Sequence, residues 1–415
     1  MPLLRNWRKK PVTKNSEKRV PALRFKGFTN DWEQRKLKKL GFFYKGKGYT
    51  KKDLINNGVP ILLYGELYTH YSEKISNTRL HSKLLLHSIF SAGNEVVLPD
   101  SGETSTDIAR ASWISNSGII LAGGLIIIKP NEYIFPGFLA YSLTYGENHK
   151  LLASRAQGKS IVHIHANDLK TLNIIYPENL KEQQRIFALL EKLNKYIALQ
   201  QRKLELLSLI KKTIIKHLFK LKNSDSLNLK FKTSCSQWNS KKLGEIAKFI
   251  NGRAFKQSEL LNKGKYPVLR VGNFYTNDKW FYSDLNLNKN KYADKGDLLY
   301  TWSATFGPHI WKGPKVIFHY HIWKIDFDPS TVNKTFLFYF LEADKENLLT
   351  NSNGSTMIHI TKSNMENKII NLPQFSIQQN IGTFLSNLDY LINQEKIKSK
   401  QLIQLKRFLL QNMFI

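Results

Sequence analysis

Two stretches of the chain, residues 182–219 and 377–414, carry apolar residues at alternating steps of four and three. The first seam contains Ile186, Leu190, Leu193, Ile197, Leu204 and Leu207. Adding 195 to these numbers locates the second seam, whose apolar residues are Ile381, Leu385, Leu388, Ile392, Leu402 and Leu409; Leu204 corresponds there to Ser399, and Leu409 corresponds to Ile214 of the first seam. Polar residues interrupt both seams at the same places: Gln200 corresponds to Glu395, and Lys211 corresponds to Lys406. A period of 3.5 residues sustained in this way is typical of a coiled coil.

Each stretch lacks proline and therefore predicts one uninterrupted helix of about 36 residues, roughly 55 Å long. A helix of this length with an apolar seam must bury that seam. The simplest partner for each seam is the seam of the other copy, and this pairing predicts two antiparallel helices. The alternative is that each helix packs on its own domain as an ordinary amphipathic helix.

The segments that precede the two seams repeat as well. Residues 32–37 correspond to 238–243, with the same step from Trp to Leu, and residues 157–164 correspond to 353–360. Runs rich in β-branched and aromatic residues predict strands, and a run that starts with proline predicts a helix. The predicted strands are 60–64, 95–98 and the apolar run 119–128, which is a buried strand or hairpin; the predicted helix is 136–145.

The pattern predicts an α+β fold: two β-rich globular domains joined by two long antiparallel helices that form a coiled coil, with approximate two-fold symmetry. The predicted parts are a basic lead-in (1–19), a first globular domain (20–177), a first helix (178–220), a polar linker (221–236), a second globular domain (237–373) and a second helix (374–415).

The charge of the chain indicates the kind of partner. Sixty-three Lys and Arg against 32 Asp and Glu give a formal charge of +31, which favours a polyanion such as nucleic acid. The one cysteine, Cys235, excludes an internal disulfide framework and a multi-cysteine zinc site, and so favours a reducing cytoplasm. The N-terminal residues lack the apolar region of a signal peptide, and the run 119–128 is too short to cross a membrane.

Several strings resemble catalytic or metal motifs only in part. Residues 41–48 almost match a phosphate-binding loop but end in glycine, and residues 158–160 lack its first glycine. Asp100 with the later Asp168 is too widely spaced for a nuclease motif. The histidine pairs 163/165 and 319/321 are more often found on half-buried strands than in metal sites. We therefore predict no catalytic residue and no metal site.

The loops instead carry side chains suited to DNA. Arg and Asn make bidentate contacts with guanine and adenine edges, while Lys, Ser, Thr and backbone amides hold phosphates. Any one such residue is more often an ordinary solvated residue, but they form two clusters at corresponding positions. The first contains Lys45, Lys47, Tyr49, Lys51, Tyr64, Tyr68, Arg79, Gln157, Lys159 and Ser160. The second contains Arg253, Lys256, Arg270, Asn273, Tyr275, Asn277, Lys279, Asn353, Ser355 and Thr356.

From about residue 20 onward, the order of these motifs resembles the specificity (S) subunit of type I restriction-modification systems. The motifs that carry the resemblance are residues 20–25, 32–37, 264–270 and 296–299, the pairs Gln157-Gly158 and Asn353-Gly354, and the pairs Gln183-Gln184 and Gln378-Gln379. The first half departs from the pattern at Gly93-Asn94-Glu95, and Tyr64 stands near the place that Arg270 takes in the second half.

The resemblance implies that each globular domain is a target recognition domain for one half of a bipartite DNA sequence. It implies that the helices set the spacing and dock two methyltransferase (M) subunits, and that the chain itself is non-catalytic and cytoplasmic. Bound cofactors would belong to the partners: S-adenosylmethionine to the M subunits, and ATP and magnesium to the restriction and translocation (R) subunits. Two other functions stay open, a self-contained DNA methyltransferase or nuclease with fused recognition domains, and a coiled-coil scaffold without a DNA role.

Overall fold

The structure is a computed structural model that describes residues 20–158, 160–219, 238–275, 277–303, 305–351 and 360–414, with the backbone alone at 347 and 349–351. The predicted lead-in (1–19) and linker (221–236) lie outside the described residues. The chain forms two compact units. Unit 1 comprises Met1–Gln200 and Lys398–Ile415, and unit 2 comprises Gln201–Ile397.

Unit 1 contains thirteen described strands and five described short helices, besides parts of two long helices. The strands are β1 (Glu33–Lys36), β2 (Gly41–Lys45), β3 (Leu54–Leu62), β4 (Lys74–Ile75), β5 (Leu80–Ser82), β6 (Phe90–Ala92), β7 (Glu95–Pro99), β8 (Ser101–Gly102), β9 (Ser112–Ile114), β10 (Ser117–Leu121), β11 (Leu125–Pro130), β12 (Val162–His163) and β13 (Asn173–Tyr176). The short helices are α1 (Glu66–Thr69), α2 (Ser105–Ile108), α3 (Pro136–Thr144), α4 (Gly146–Arg155) and α5 (Ala166–Lys170).

The two long helices are α6 (Leu180–Leu218) and α10 (Phe375–Met413), each of 39 residues. Unit 2 contains the strands β14 (Asn239–Lys242), β15 (Ala247–Asn251), β16 (Tyr266–Leu269), β17 (Phe281–Ser283), β18 (Tyr292–Ala293), β19 (Leu298–Thr301), β20 (Gly307–Ile310), β21 (Val316–Phe318), β22 (Ile322–Phe327) and β23 (Ile369–Leu372). Its other helices are α7 (Leu243–Ile246), α8 (Lys334–Asn351) and α9 (Lys362–Glu366).

The two units share one strand order, except that the second sheet of unit 1 has the additional edge strand β4. In unit 1 the sheets run β5-β3-β10-β6 and β2-β11-β7-β9-β4, and in unit 2 they run β17-β16-β21-β18 and β15-β22-β19-β20. Each first sheet contains a parallel central pair, β3 with β10 and β16 with β21, among antiparallel neighbours. Each unit also pairs its entry strand with the strand before its long helix, β1 with β13 and β14 with β23. The α+β fold with a repeated β-rich domain is thereby confirmed.

The apolar run 119–128 differs from its expected single strand or hairpin. It contributes to two strands, β10 and β11, which belong to different sheets. Gly123 and Gly124 separate them, and Gly124 has a φ of +84°, a conformation that residues with a side chain rarely adopt. The apolar pattern alone does not show whether such a run forms one strand or two strands of different sheets that are connected at a glycine.

Both long helices bury their predicted seams. All twelve predicted seam residues are buried or half-buried. In unit 1, Leu190 and Leu193 belong to the same core cluster as Leu409 and Met413. In unit 2, Ile215 shares a core with Ile381 and Leu385.

The helix segments of unit 2 run antiparallel. Lys203 Nζ lies 3.0 Å from Glu395 Oε1, and Lys211 Nζ lies 2.5 Å from Asp389 Oδ1, so rising numbers on α6 face falling numbers on α10. Lys211 is one of the polar interruptions of the seam, and it is half-buried with its charge paired. The two-fold relation between the units stays a prediction.

One buried glutamine ties the start of α6 to the rest of unit 1. Gln183 is fully buried. Its Oε1 accepts a 2.6 Å hydrogen bond from the Phe135 backbone N–H, and its Nε2 donates to the carbonyls of Tyr133 and Pro177 at 2.9 and 2.8 Å. These bonds satisfy half-buried backbone groups at the start of α3 and the buried carbonyl of Pro177 before α6, which would otherwise lack a partner.

Gln378, 195 residues later, makes the same three bonds in unit 2. Its Oε1 accepts from Asn333 N–H at 2.9 Å, and its Nε2 donates to the carbonyls of Thr331 and Pro373 at 3.3 and 2.9 Å. In both units, the first glutamine of the repeated Gln-Gln motif therefore connects the start of the long helix to the globular domain.

We expect Gln183→Ala and Gln378→Ala each to lower the free energy of unfolding by about 2–4 kcal/mol, because each leaves buried backbone groups without partners. Urea denaturation measures this. The matched controls are Gln184→Ala and Gln379→Ala, whose side chains are exposed and whose loss costs about 0.5 kcal/mol or less. Equal losses from both glutamines of a pair would contradict this role.

Candidate nucleic-acid interface

In unit 1, four loop segments meet at the ends of the strands, and we call them the unit 1 loop surface. They are residues 45–49, 63–68, 99–102 and 122–124. Gly123 N–H donates to Gly48 O at 3.0 Å, and Asp100 N–H donates to Gly124 O at 2.9 Å. A Cβ at Gly46 would lie 1.8 Å from Ala122 O, so only glycine lets these loops approach.

Five of the predicted contact residues lie in these segments: Lys45, Lys47, Tyr49, Tyr64 and Tyr68. Lys47 and Tyr64 are exposed, Tyr64 with 44% of its surface accessible. Lys45 is exposed and lies 3.6 Å from Asp100. Tyr68 is half-buried and donates its hydroxyl to Ser101 O at 2.5 Å, and burial raises the pKa of its phenol. The half-buried Tyr68 side chain therefore stabilises the loop surface rather than presenting its hydroxyl to solvent.

The loop that begins at Gln157 adjoins the same surface. The backbone of Gln157 exchanges two hydrogen bonds with His163, and His163 pairs with Ser101 through β12 and β8. Ser160 is exposed, and Lys159 lies outside the described residues.

Tyr49, and the two predicted residues outside these segments, Lys51 and Arg79, are placed differently. The Tyr49 hydroxyl is hydrogen-bonded to Ser88 Oγ and accepts from Leu85 N–H at 3.0 Å, so Tyr49 holds a loop together. Lys51 is exposed on a single helical turn. Arg79 is exposed directly before β5, beside the end of β3.

Unit 2 builds an equivalent loop surface from residues 252–256, 270–275, 277–281, 302 and 319–321. Arg253 N–H donates to Phe318 O at 3.0 Å, and Tyr320 N–H donates to Arg253 O at 2.9 Å. A Cβ at Gly252 would lie 2.2 Å from His319 O, the same close approach that Gly46 permits in unit 1.

Among the predicted base contacts of this surface, Arg270 is the best placed. It follows β16 directly, and its guanidinium carbon lies 4.3 Å from the ring centroid of Phe281. Among the described residues, Arg270 has no carboxylate partner, and its buried Nε has no hydrogen-bond acceptor. Stacking on an aromatic ring orients a planar guanidinium without occupying its donors. Arg270 is therefore pre-oriented for an acceptor that the described residues do not supply.

The remaining predicted residues of unit 2 divide into paired and outward-facing side chains. Arg253 is ion-paired with Glu259 at 2.5 Å, and Asn273 donates to the carbonyls of Asn277 and Lys279, which stabilises their loop. The exposed side chains are Lys256, Tyr275, Asn277 and Lys279. Asn353, Ser355 and Thr356 lie outside the described residues.

The sequence did not single out the aromatic cluster that dominates unit 2. Tyr320 lies between His319 and His321, with ring centroids 4.5 and 3.8 Å away, and Trp302 lies 5.0 Å from His321. Burial, His321 and Arg270 lower the pKa of His319 to about 4, so it is neutral at pH 7. The signal was His-Tyr-His directly after an apolar strand, a pattern that the sequence left open as half of a metal site or, more often, as residues of a half-buried strand.

Among the described residues, no group of three or more His, Cys, Asp or Glu could hold a metal ion. No described helix is long and apolar enough to cross a membrane.

Comparison with known proteins decides the family. The model of the type I restriction modification DNA specificity domain matches twice, at residues 29–209 and 235–405. The chain belongs to this specificity family. Each matched region, which we call a specificity domain, includes most of one of the repeated globule-and-helix segments.

Similar proteins agree with this membership. The type I restriction enzyme MjaVIII specificity subunit of Methanocaldococcus jannaschii is 23% identical over 333 residues, 76% of each chain. The EcoBI specificity subunit of Escherichia coli is 24% identical over 173 residues, which are 41% of this chain and 36% of that protein. The crystal structure of the S subunit from M. genitalium shares the fold with a TM-score of 0.61 at 17% identity, covering 95% of this chain and 99% of that one.

The two specificity domains present unlike side chains from equivalent strand ends. The parallel pairs align Leu62 with Leu269, so Leu63, rather than Tyr64, takes the place of Arg270. Three further places differ in the same way: Lys47 against Arg253, Asp100 against Trp302, and Ala122-Gly123-Gly124 against His319-Tyr320-His321. The first domain offers lysines around an open glycine turn, whereas the second offers arginines around aromatic rings.

His309 gives the second specificity domain a pH-dependent stability. Its ring stacks on Phe274 at 4.0 Å, and its Nε2 lies 3.3 Å from both Tyr275 Oη and Thr301 Oγ1. Burial and the nearby Lys345 charge lower its pKa to about 4.

Since the unfolded state takes up this proton near pH 6.5 and the folded state only near pH 4, the contribution of His309 is present above pH 6.5 and is lost as the pH falls to about 4. As the pH falls, we expect the free energy of unfolding of His309→Gln to decrease by about 1–3 kcal/mol less than that of the wild-type protein. Urea denaturation of both proteins between pH 7 and 4.5 measures it, and parallel curves would contradict it.

Proposed function

We propose that this chain is the DNA-recognition subunit of a type I restriction-modification complex, in which each specificity domain binds one half of a bipartite duplex target. The observation that carries the proposal is the pair of loop surfaces, built on the same strand ends but bearing different side chains. One scaffold with two sets of contacts suits a target whose halves differ in sequence.

Electrostatics would supply affinity, and a few side chains would supply sequence preference. The formal charge of +31 favours salt-dependent phosphate contacts through exposed lysines such as Lys47 and Lys256. Arg270, with its unpaired guanidinium, is suited to the O6 and N7 acceptors of a guanine. The aromatic cluster around Tyr320 offers apolar contact with a thymine methyl group.

We further propose that α6 and α10 set the distance between the half-sites and dock two M subunits. The support is a set of apolar residues that point away from the seams. In unit 2 these include Leu209, Tyr390 and Leu391, which are 59%, 63% and 50% exposed. Exposed apolar positions along a helix are typical of a surface that a partner covers.

Chemistry would belong to the partners. M subunits would bring S-adenosylmethionine and methylate adenine, and R subunits would use ATP and magnesium to translocate and cut DNA. We expect no turnover by the purified chain with S-adenosylmethionine or magnesium alone, whereas the rival function of a self-contained methyltransferase or nuclease requires it. A gel-shift titration of the chain alone and with its M subunit, with a parallel turnover assay, separates these functions from a scaffold without a DNA role.

We expect Arg270→Ala to relax base preference at one position of the half-site bound by residues 237–373 and to leave the other half-site unchanged. Loss of a bidentate contact costs about 1–3 kcal/mol, which weakens binding by roughly fivefold to 150-fold. Selection from a randomised duplex library, followed by methylation assays with the M subunit, measures the change.

The control is Lys256→Ala, which removes an exposed charge near the same surface. It should weaken binding uniformly across sequences and reduce its salt dependence. A loss of preference at both half-sites in Arg270→Ala would contradict the assignment.

We expect a longer pair of helices to lengthen the preferred spacer. The same seven residues inserted after Gln200 and after Glu395 keep the seam in register and add about 10 Å, close to three base pairs. The half-site sequences should not change. Replacing residues 201–207 by the same heptad, without changing the length, is the control, and an unchanged spacer in the insertion variant would count against the proposal.

A further inference from the structure

Unit 2 contains a cavity of about 320 Å³ where its parts of α6, α8 and α10 meet. Its apolar lining includes Ile215, Phe219 and Ala343. Four lysines also line it: Lys211, Lys212, Lys216 and Lys396. Neither the specificity fold nor the loop surfaces require such an opening.

The equivalent place in unit 1 is filled. Tyr141 and Tyr339 lie 198 residues apart and contact equivalent positions of the long helices: the Tyr141 hydroxyl accepts a hydrogen bond from Asn194 Nδ2, and the Tyr339 hydroxyl donates one to Asp389 Oδ2. This register puts Tyr145 in the place of Ala343. In unit 1, Lys406 corresponds to Lys211, and its Nζ lies 5.6 Å from the ring centroid of Tyr145.

A carboxylate completes the filling of unit 1. Glu73 accepts a 2.6 Å hydrogen bond from the Tyr145 hydroxyl, and its Oε1 lies 2.8 Å from Lys406 Nζ. Glu73 directly precedes β4, the fifth strand of its sheet, and its carbonyl accepts from Trp113 N–H on β9. The corresponding sheet of unit 2 has four strands, with no counterpart of β4 among its described residues. Among its described residues, unit 2 thus has neither the ring nor a carboxylate at the place of Glu73, since Lys211 pairs instead with Asp389 of α10, and the cavity occupies this place.

The charges around the cavity favour a further carboxylate. Lys211 pairs with Asp389, and Lys212 pairs with Glu346. Lys216 and Lys396 have no ion-pair partner among the described residues. Glu342, the remaining acid, is half-buried. Two unpaired ammonium groups beside an apolar lining suit an aromatic side chain accompanied by an acid.

We propose that this cavity accepts an aromatic side chain accompanied by a carboxylate from a partner polypeptide, which supplies in unit 2 what Tyr145 and Glu73 supply within unit 1. The proposal rests on the proposed function, in which that partner is the M subunit docked on the long helices. The two docking positions would then be unequal, because only the one at unit 2 receives this side chain.

The test fills the cavity. Ala343→Tyr places on α8 the residue that unit 1 carries, and we expect it to weaken binding of the M subunit at the unit 2 position at least tenfold, while DNA binding by the chain alone changes less than twofold. Ala343→Ser, which leaves the cavity open, is the control. Calorimetric titration of the full chain with purified M subunit resolves the two affinities, and thermal unfolding checks that the variants fold.

A second comparison does not depend on filling the cavity. Lys396→Glu should weaken the same binding step at least fivefold, whereas Lys400→Glu, one turn further along α10 at an exposed position outside the lining, should not. In the wild-type complex, the methyl NMR signals of Ile215 should shift in the ring current of the bound aromatic group.

The outcomes separate this inference from the function on which it rests. A wild-type chain that binds no M subunit overturns both proposals. Wild-type affinity in Ala343→Tyr overturns this one alone. If Ala343→Tyr does not fold, equal effects of Lys396→Glu and Lys400→Glu overturn it, and loss confined to Lys396→Glu supports it.

Discussion

Burial of the apolar seam along two 39-residue helices is the constraint on which the rest of the structure depends. Isolated helices of this kind are only marginally stable in water, so their apolar faces must enter a core. The seam residues enter the cores of both units: Leu190 and Leu409 lie in that of unit 1, and Leu385 lies in that of unit 2. Each core is therefore formed by side chains from the sheets, the local helices and the long helices together. The buried glutamines at 183 and 378 fix the position at which each long helix starts to pack on its core.

Much of the fold followed from periodicity. The 3.5-residue repeat predicted both long helices to within two residues at each end, and the repeat of motifs predicted two β-rich domains. The sheet order could not be predicted, because short apolar runs such as 119–128 do not tell which sheet they join. The parallel central pair of each unit joins strands separated by some 50 residues, which local patterns do not encode.

The candidate site was less predictable, because a side chain's residue type does not show which partner it already has. Arg253 and Arg270 look alike in sequence, yet Arg253 is paired with Glu259 and Arg270 stacks on Phe281 without an acid. Tyr49 and Asn273 are suited to DNA by residue type but hold their own loops together. Conversely, His319 and Tyr320 lie on the loop surface of unit 2 because strand ends that are distant in sequence meet in the folded domain.

The composition of unit 1 has a consequence for biosynthesis. Its core includes Leu409 and Met413, and Phe414 stacks on Phe138 at 5.3 Å, so residues 398–414 complete a unit whose other part ends at Gln200. On the ribosome, the first domain waits for nearly 200 intervening residues to be translated before its last core side chains arrive. Such long-range closure slows folding and leaves apolar surface exposed to nascent-chain binding factors in the meantime. A nonsense codon just before residue 398 would therefore damage the domain encoded first.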